Sequence, residues 1–137
     1  MLINDKVIVK AMEEHRVEGE EFGYYFYGQT MSIGKMLLAG HFSYMLEKQC
    51  FVQFTNKKVD IVTLNKITAK PERYNGVPLT DIKRIKLDGG MFGKTMNLEF
   101  KDGEHLKLRI FKSLAIKKQK ENLVNIENFL KTIGLMA

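Results

Sequence analysis

The hairpin over residues 94–110, KTMNLEFKDGEHLKLRI, constrains this chain most, because its two candidate loops make opposite statements about which side chains share a face. Strand side chains alternate between faces, so shifting the register by one residue moves a whole set from core to solvent. A two-residue loop at Asp102-Gly103 would pair Leu98 with Lys107 and set Met96, Leu98 and Phe100 against the face that carries Leu106. That splits the core. A three-residue loop, Lys101-Asp102-Gly103, with Gly103 in the left-handed region, pairs Leu98 with Leu106 and Met96 with Leu108. The three-residue loop is the expectation, and it turns Lys107 and Arg109 outward with Asn97 and Glu99, where charge pairing across the strands becomes available.

The same argument sets the preceding strands. In CFVQFTNKKVDIV a two-residue loop at Asn56-Lys57 pairs Phe54 with Val59 and Val52 with Ile61, putting both apolar sets on one face. DIKRIKL places Ile85 and Leu87 on one side and Arg84 and Lys86 on the other, a strand with one wet face. Phe22 to Gln29 holds a dense aromatic run and reads as a further strand. PERYNGVP, bracketed by Pro71 and Pro78, reads as a turn-rich connection.

Helical spacing appears in three places. Asn4 or Asp5 can cap a short helix carrying Val7, Ile8, Ala11 and Met12, although VIV also suits a strand. Ser32 to Lys48 reads as a helical insertion with a broad apolar face that includes Met36, Leu37 and Phe42. Lys35, His41 and Glu47 interrupt that face, so it does not span a membrane, which takes about 20 mostly apolar residues. Residues 113–134 read as a closing helix with Ser113 as cap, Leu123, Ile126, Leu130 and Ile133 as its stripe, and Gly134 as its end. Lys117, Lys118 and Lys120 then fall near the positive end of the helix dipole, where they repel; Glu121 and nearby acids are the expected screen.

At 137 residues the chain is the size of one domain, and its 45% hydrophobic and 28% charged residues exclude disordered and disulfide-rich classes. The single Cys50 and an opening MLINDKVIVK without a signal-peptide pattern point to the cytoplasm. Net charge is +6, and all of the excess falls in residues 69–137, which carry 14 basic residues against 8 acidic, whereas residues 1–68 carry 8 of each. Lys107, Arg109, Lys112, Lys117 and Lys118 are therefore the candidate contacts for an anionic partner, with an ordinary solvated surface as the default reading.

No catalytic set emerges. GGMFGKT fails as a phosphate-binding loop, because Asp88 stands where bare backbone is needed and TMNLEF continues as a strand. Met91 and Phe92 at the tip of this loop either tuck into the core, the default, or form an apolar contact for a partner or membrane. His15, His41 and His105 are too scattered for a metal site, and Cys50 sits in a strand pattern as a buried thiol. The expectation is no enzyme, no metal and no cofactor. Aromatics concentrate before residue 55 and excess charge after residue 69, which disfavours nucleic-acid binding.

Strands and hairpins followed by one amphipathic helix describe a mainly β fold, a curved antiparallel sheet or open barrel plugged by its C-terminal helix. FVQFTNKKVDIV, GVPLTDIKRIKL and GGMFGKTMNLEFKDGEHLKL with the Lys-rich helix resemble the bacterial pleckstrin-homology-like domains over residues 18–134. The resemblance implies one such domain over 1–137, with residues 1–17 as an N-terminal extension and the segment at 32–48 as an insertion. It also implies a non-catalytic binding or scaffold module. Protein interaction or self-association, burying the insertion, is the first expected role; peripheral attachment to anionic lipid through the basic residues is the alternative.

Overall fold

The computed structural model describes residues 4–21, 23–31, 48–90, 93–111 and 116–136. Among them seven strands, β1 (Tyr24–Met31), β2 (Gln49–Phe54), β3 (Lys58–Leu64), β4 (Pro71–Pro78), β5 (Ile82–Gly90), β6 (Gly93–Phe100) and β7 (His105–Ile110), build one antiparallel sheet. Its order is β4-β3-β2-β1-β7-β6-β5, so pairing of β1 with β7 joins two meanders, and the sheet stays open with β4 and β5 at its edges. At that seam Gly28 lies opposite Ile110, and the Arg109 carbonyl occupies the place of a Cβ, so only glycine lets the two strands approach.

Both hairpin registers are as the alternation requires. Phe54 pairs with Val59 and Val52 with Ile61; Leu98 pairs with Leu106 and Met96 with Leu108. Gly103 has φ +92°, the left-handed geometry that the three-residue loop needs. Inward side chains of both meanders, among them Phe26, Val52, Ile61, Ile85, Leu98 and Leu106, form one core that Leu123, Ile126 and Leu130 of helix α2 (Gln119–Thr132) cover.

The opposite face of β1–β3 is buried as well. Helix α1 (Asp5–Glu14), capped by the Asn4 carboxamide accepting from the Val7 amide at 3.0 Å, lays Ile8, Ala11 and Met12 on Tyr25, Phe51, Val62 and Leu64. That two-sided burial explains why Phe51 in β2 and Val62 and Leu64 in β3 are apolar although they face away from the main core.

Four expectations need correction. PERYNGVP is strand β4, paired with β3 from Lys58↔Pro78 to Leu64↔Pro71. Its prolines stand at the two ends of an edge strand, where a missing amide costs no ladder bond. β1 begins at Tyr24 and runs on to Met31, beyond Gln29; Phe22 is outside the described residues. Helix α2 starts at Gln119 with no side-chain cap, so Lys117 and Lys118 precede it, and Ser113 is outside the described residues. Ile133 is its C-cap, 42% exposed and off the stripe, and Gly134 at φ +81° ends the helix as anticipated.

Candidate partner-binding site

Titratable groups in the body of the fold serve structure. Cys50 is fully buried, and burial pushes its thiol up to about 12, which leaves it protonated and unreactive. His15 stacks on Tyr74 with ring centroids 3.5 Å apart, its Nδ1 3.1 Å from the Ala11 carbonyl oxygen. The Glu20 side chain, 1% exposed, accepts from the Val17 amide at 2.9 Å and faces the Lys58 ammonium, which also faces Asp60, both at 3.5 Å. Burial would raise the Glu20 carboxyl, but Thr55, the Val17 amide and Lys58 together lower it; for Asp60 burial prevails and the carboxyl is raised. No group of three or more His, Cys, Asp or Glu among the described residues is placed to hold a metal.

Basic residues read from the sequence fall in two separate places. Lys107 and Arg109 occupy the outer face of β7, with Lys107 in register with Met31 and Asn97, and Arg109 with Gln29 and Thr95. Lys86 and Arg84 of β5 continue that face in register with Asn97 and Glu99. Glu99 pairs with Arg84, at 2.8 Å from Nε, and with Lys83 at 3.8 Å, so the cross-strand acid expected to balance β7 is turned to β5 instead.

Lys117 and Lys118 sit at the junction of the two helices. Their amides donate to the Asp5 carboxylate at 2.6 and 3.3 Å, and the Tyr25 hydroxyl donates to the same group at 2.7 Å. A carboxylate from α1 therefore satisfies the amides of the turn entering α2 and sets a negative charge beside Lys117 and Lys118, where the sequence reading expected Glu121 and nearby acids to screen them. Gln119 completes the junction, its Oε1 accepting from the Tyr27 amide at 2.7 Å and its Nε2 donating to the Phe111 carbonyl. Lys112, Met36, Leu37, Phe42, Met91 and Phe92 lie outside the described residues.

A further site was not anticipated. Where the open sheet brings the end of β4 toward the β6–β7 turn, a cleft of about 520 Å³ is lined by Asn75, Gly76, Val77 and Pro78 on one side. Asp81, Phe100, Lys101, Asp102 and Glu104 line the other. The Lys101 amide donating to the Asp81 carbonyl at 2.9 Å, and the Asp102 carboxylate accepting from the Glu104 amide at 2.9 Å, hold that second wall. Each turn is visible in the sequence, but their meeting depends on the coiling of the whole sheet.

The two sheet edges differ. On β5 a register shift between Ile82 and Arg84 disturbs the strand, and the Ile85 amide donates to the Leu135 carbonyl at 2.7 Å, so the chain leaving α2 lies on that edge. On β4 the Leu79 amide donates to Lys57 at 3.0 Å, which fixes the phase of the antiparallel ladder. By alternation Val59↔Val77 and Ile61↔Asn75 are the hydrogen-bonded pairs, and the peptide groups of Tyr74 and Gly76 point away from the sheet. Both residues are exposed, Tyr74 by 37%.

Among solved structures the chain is similar to the hSac2 domain from human phosphoinositide phosphatase Sac2, with TM-score 0.58, 12% identity, 96% of this chain and 84% of that one covered. At this identity the likeness is one of fold. No curated protein sequence matches the chain. Residues 17–129, from the loop after α1 to within α2, match the family described as Bacterial PH domain. With the seven-stranded open sheet and its covering helix α2 in place, the chain belongs to the bacterial PH domain family.

Proposed function

We propose that this domain is a non-catalytic protein-binding module of the cytoplasm, and that the open edge of β4 beside the cleft is where its partner docks. Domains of this family are generally non-catalytic binding modules, which sets the broad class. One observation carries the site: on the β5 edge the Ile85 amide is taken by the Leu135 carbonyl, whereas on β4 Tyr74 and Gly76 turn their peptide groups outward beside a cavity. An exposed sheet edge is a template for another strand, and pockets beside it select side chains.

A displayed library of unstructured peptides tests this reading. Binders are expected to enrich and to lose binding to Gly76→Pro, which removes an outward amide on an edge strand, with the Asp60 carboxylate, 3.0 Å from the added Cβ, giving way slightly. Failure to enrich any peptide, or binders indifferent to Gly76→Pro with its melting curve unchanged, sinks the reading.

A second reading has its own observation. Arg84, Lys86, Lys107 and Arg109 share the outer face of β5–β7, whose acids in the same register are Glu99 and Asp88. Such a face would hold anionic lipid electrostatically, each lysine or arginine near the surface contributing about 1 kcal/mol at low salt. Sedimentation with phosphatidylserine vesicles is expected to fall on raising salt and on the double change Lys107→Glu, Arg109→Glu. Binding indifferent to both would remove this reading.

A further inference from the structure

We infer that the β4 cleft takes an extended peptide carrying basic side chains at alternate positions, which pairs with Tyr74 and Gly76 as an added strand. This inference rests on the docking edge proposed above and names its ligand class. The carrying feature is the edge itself: two outward peptide groups spaced by one residue, the pattern that an incoming antiparallel strand matches.

Side-chain selection follows from the pleat. Asn75 and Val77 share the inner face with Ile61 and Val59, their register partners, and both line the cleft. An added strand would alternate likewise, sending every second side chain toward the wall formed by Asp81, Phe100, Lys101, Asp102 and Glu104. Three carboxylates against one ammonium make that wall acidic on a chain whose net charge is +6, so the cleft's sign is opposite to that of the molecule. Lysine or arginine side chains entering there meet complementary charge, with apolar stems against Phe100, Val77 and Pro78. An acidic peptide would meet like charge in the same place. The outer-facing side chains of the added strand would lie beside Tyr74, whose ring is held by the His15 stack.

Short synthetic peptides in which lysine alternates with valine, and matched peptides with glutamate in place of lysine, test the inference by titration and amide exchange. The lysine peptide is expected to bind about tenfold tighter than the glutamate peptide, and to slow exchange at the Tyr74 and Gly76 amides. N-methylation of its alternate amides on the β4-facing side should abolish binding, and methylation on the other side should not. Charge reversal by Asp81→Lys with Glu104→Lys should invert the preference. The glutamate peptide protecting the same two amides as well as the lysine one would overturn the charge assignment while leaving the docking edge intact. Neither peptide protecting Tyr74 and Gly76, or light scattering showing a second copy of the chain already pairing along β4, would overturn both.

Discussion

Phe26→Ala should destabilise the domain by about 3–5 kcal/mol, the range for deleting a fully buried aromatic ring. Phe26 is inaccessible to solvent, faces inward from β1 opposite Val52, and belongs to the core shared by both meanders and α2. Total stability of a domain this size is roughly 5–15 kcal/mol, so the loss consumes a large fraction of it. Urea unfolding is the measurement: the midpoint should drop while the slope stays that of the parent, since the same surface is exposed on unfolding. A loss below about 1 kcal/mol, ordinary for surface substitutions, would mean that β1 does not bridge a common core.

Asp5→Ala should cost about 1.5–2 kcal/mol, the lower part of the range for hydrogen bonds to a charged group because this carboxylate is partly wet and screened. It removes the acceptor for the Tyr25 hydroxyl and for the Lys117 and Lys118 amides at once. Amide exchange at Ile8, Ala11 and Met12 should quicken more than exchange in β6 and β7, because the latch holds α1 and not the inner core. Burial alone would raise the Asp5 carboxyl, but the Tyr25 hydroxyl and the Lys117 and Lys118 amides outweigh it, and the folded value is lowered. The latch is therefore at full strength above the unfolded aspartate value of about 3.9 and fades as pH falls through the folded one. Parent and variant should converge in stability over that acid range. Tyr25, raised by burial and then by Asp5, stays a donor throughout.

Hairpin geometry was legible because loop length and alternation speak to the same register: Phe54 with Val59, and Leu98 with Leu106, follow from counting residues through Asn56-Lys57 and Lys101-Asp102-Gly103. The stripe Leu123, Ile126 and Leu130 likewise marks the covering helix before any contact is known. β4 was hidden because an edge strand near solvent need not alternate in polarity, and Pro71 and Pro78 at its ends look like breakers when their place in the ladder is unknown. The Asp5 latch joins residues 112 and 113 positions apart, a relation with no local trace. The β4 cleft has the same character, since Gly76 and Glu104 meet only when both meanders are coiled around one interior. Lys107 and Arg109 were correctly turned outward, yet the acid assigned to them went to Arg84, a choice decided by side-chain reach across β5 and β6.

The carbonyl of Leu135 against β5 limits what the molecule can become as well as what it can hold. Endless cross-β stacking requires two adhesive rims per unit, one to receive and one to offer. On the β5 rim the Ile85 amide is already taken by the chain's own backbone, so a newcomer there would forfeit a ladder bond that the β4 rim still offers at Tyr74 and Gly76.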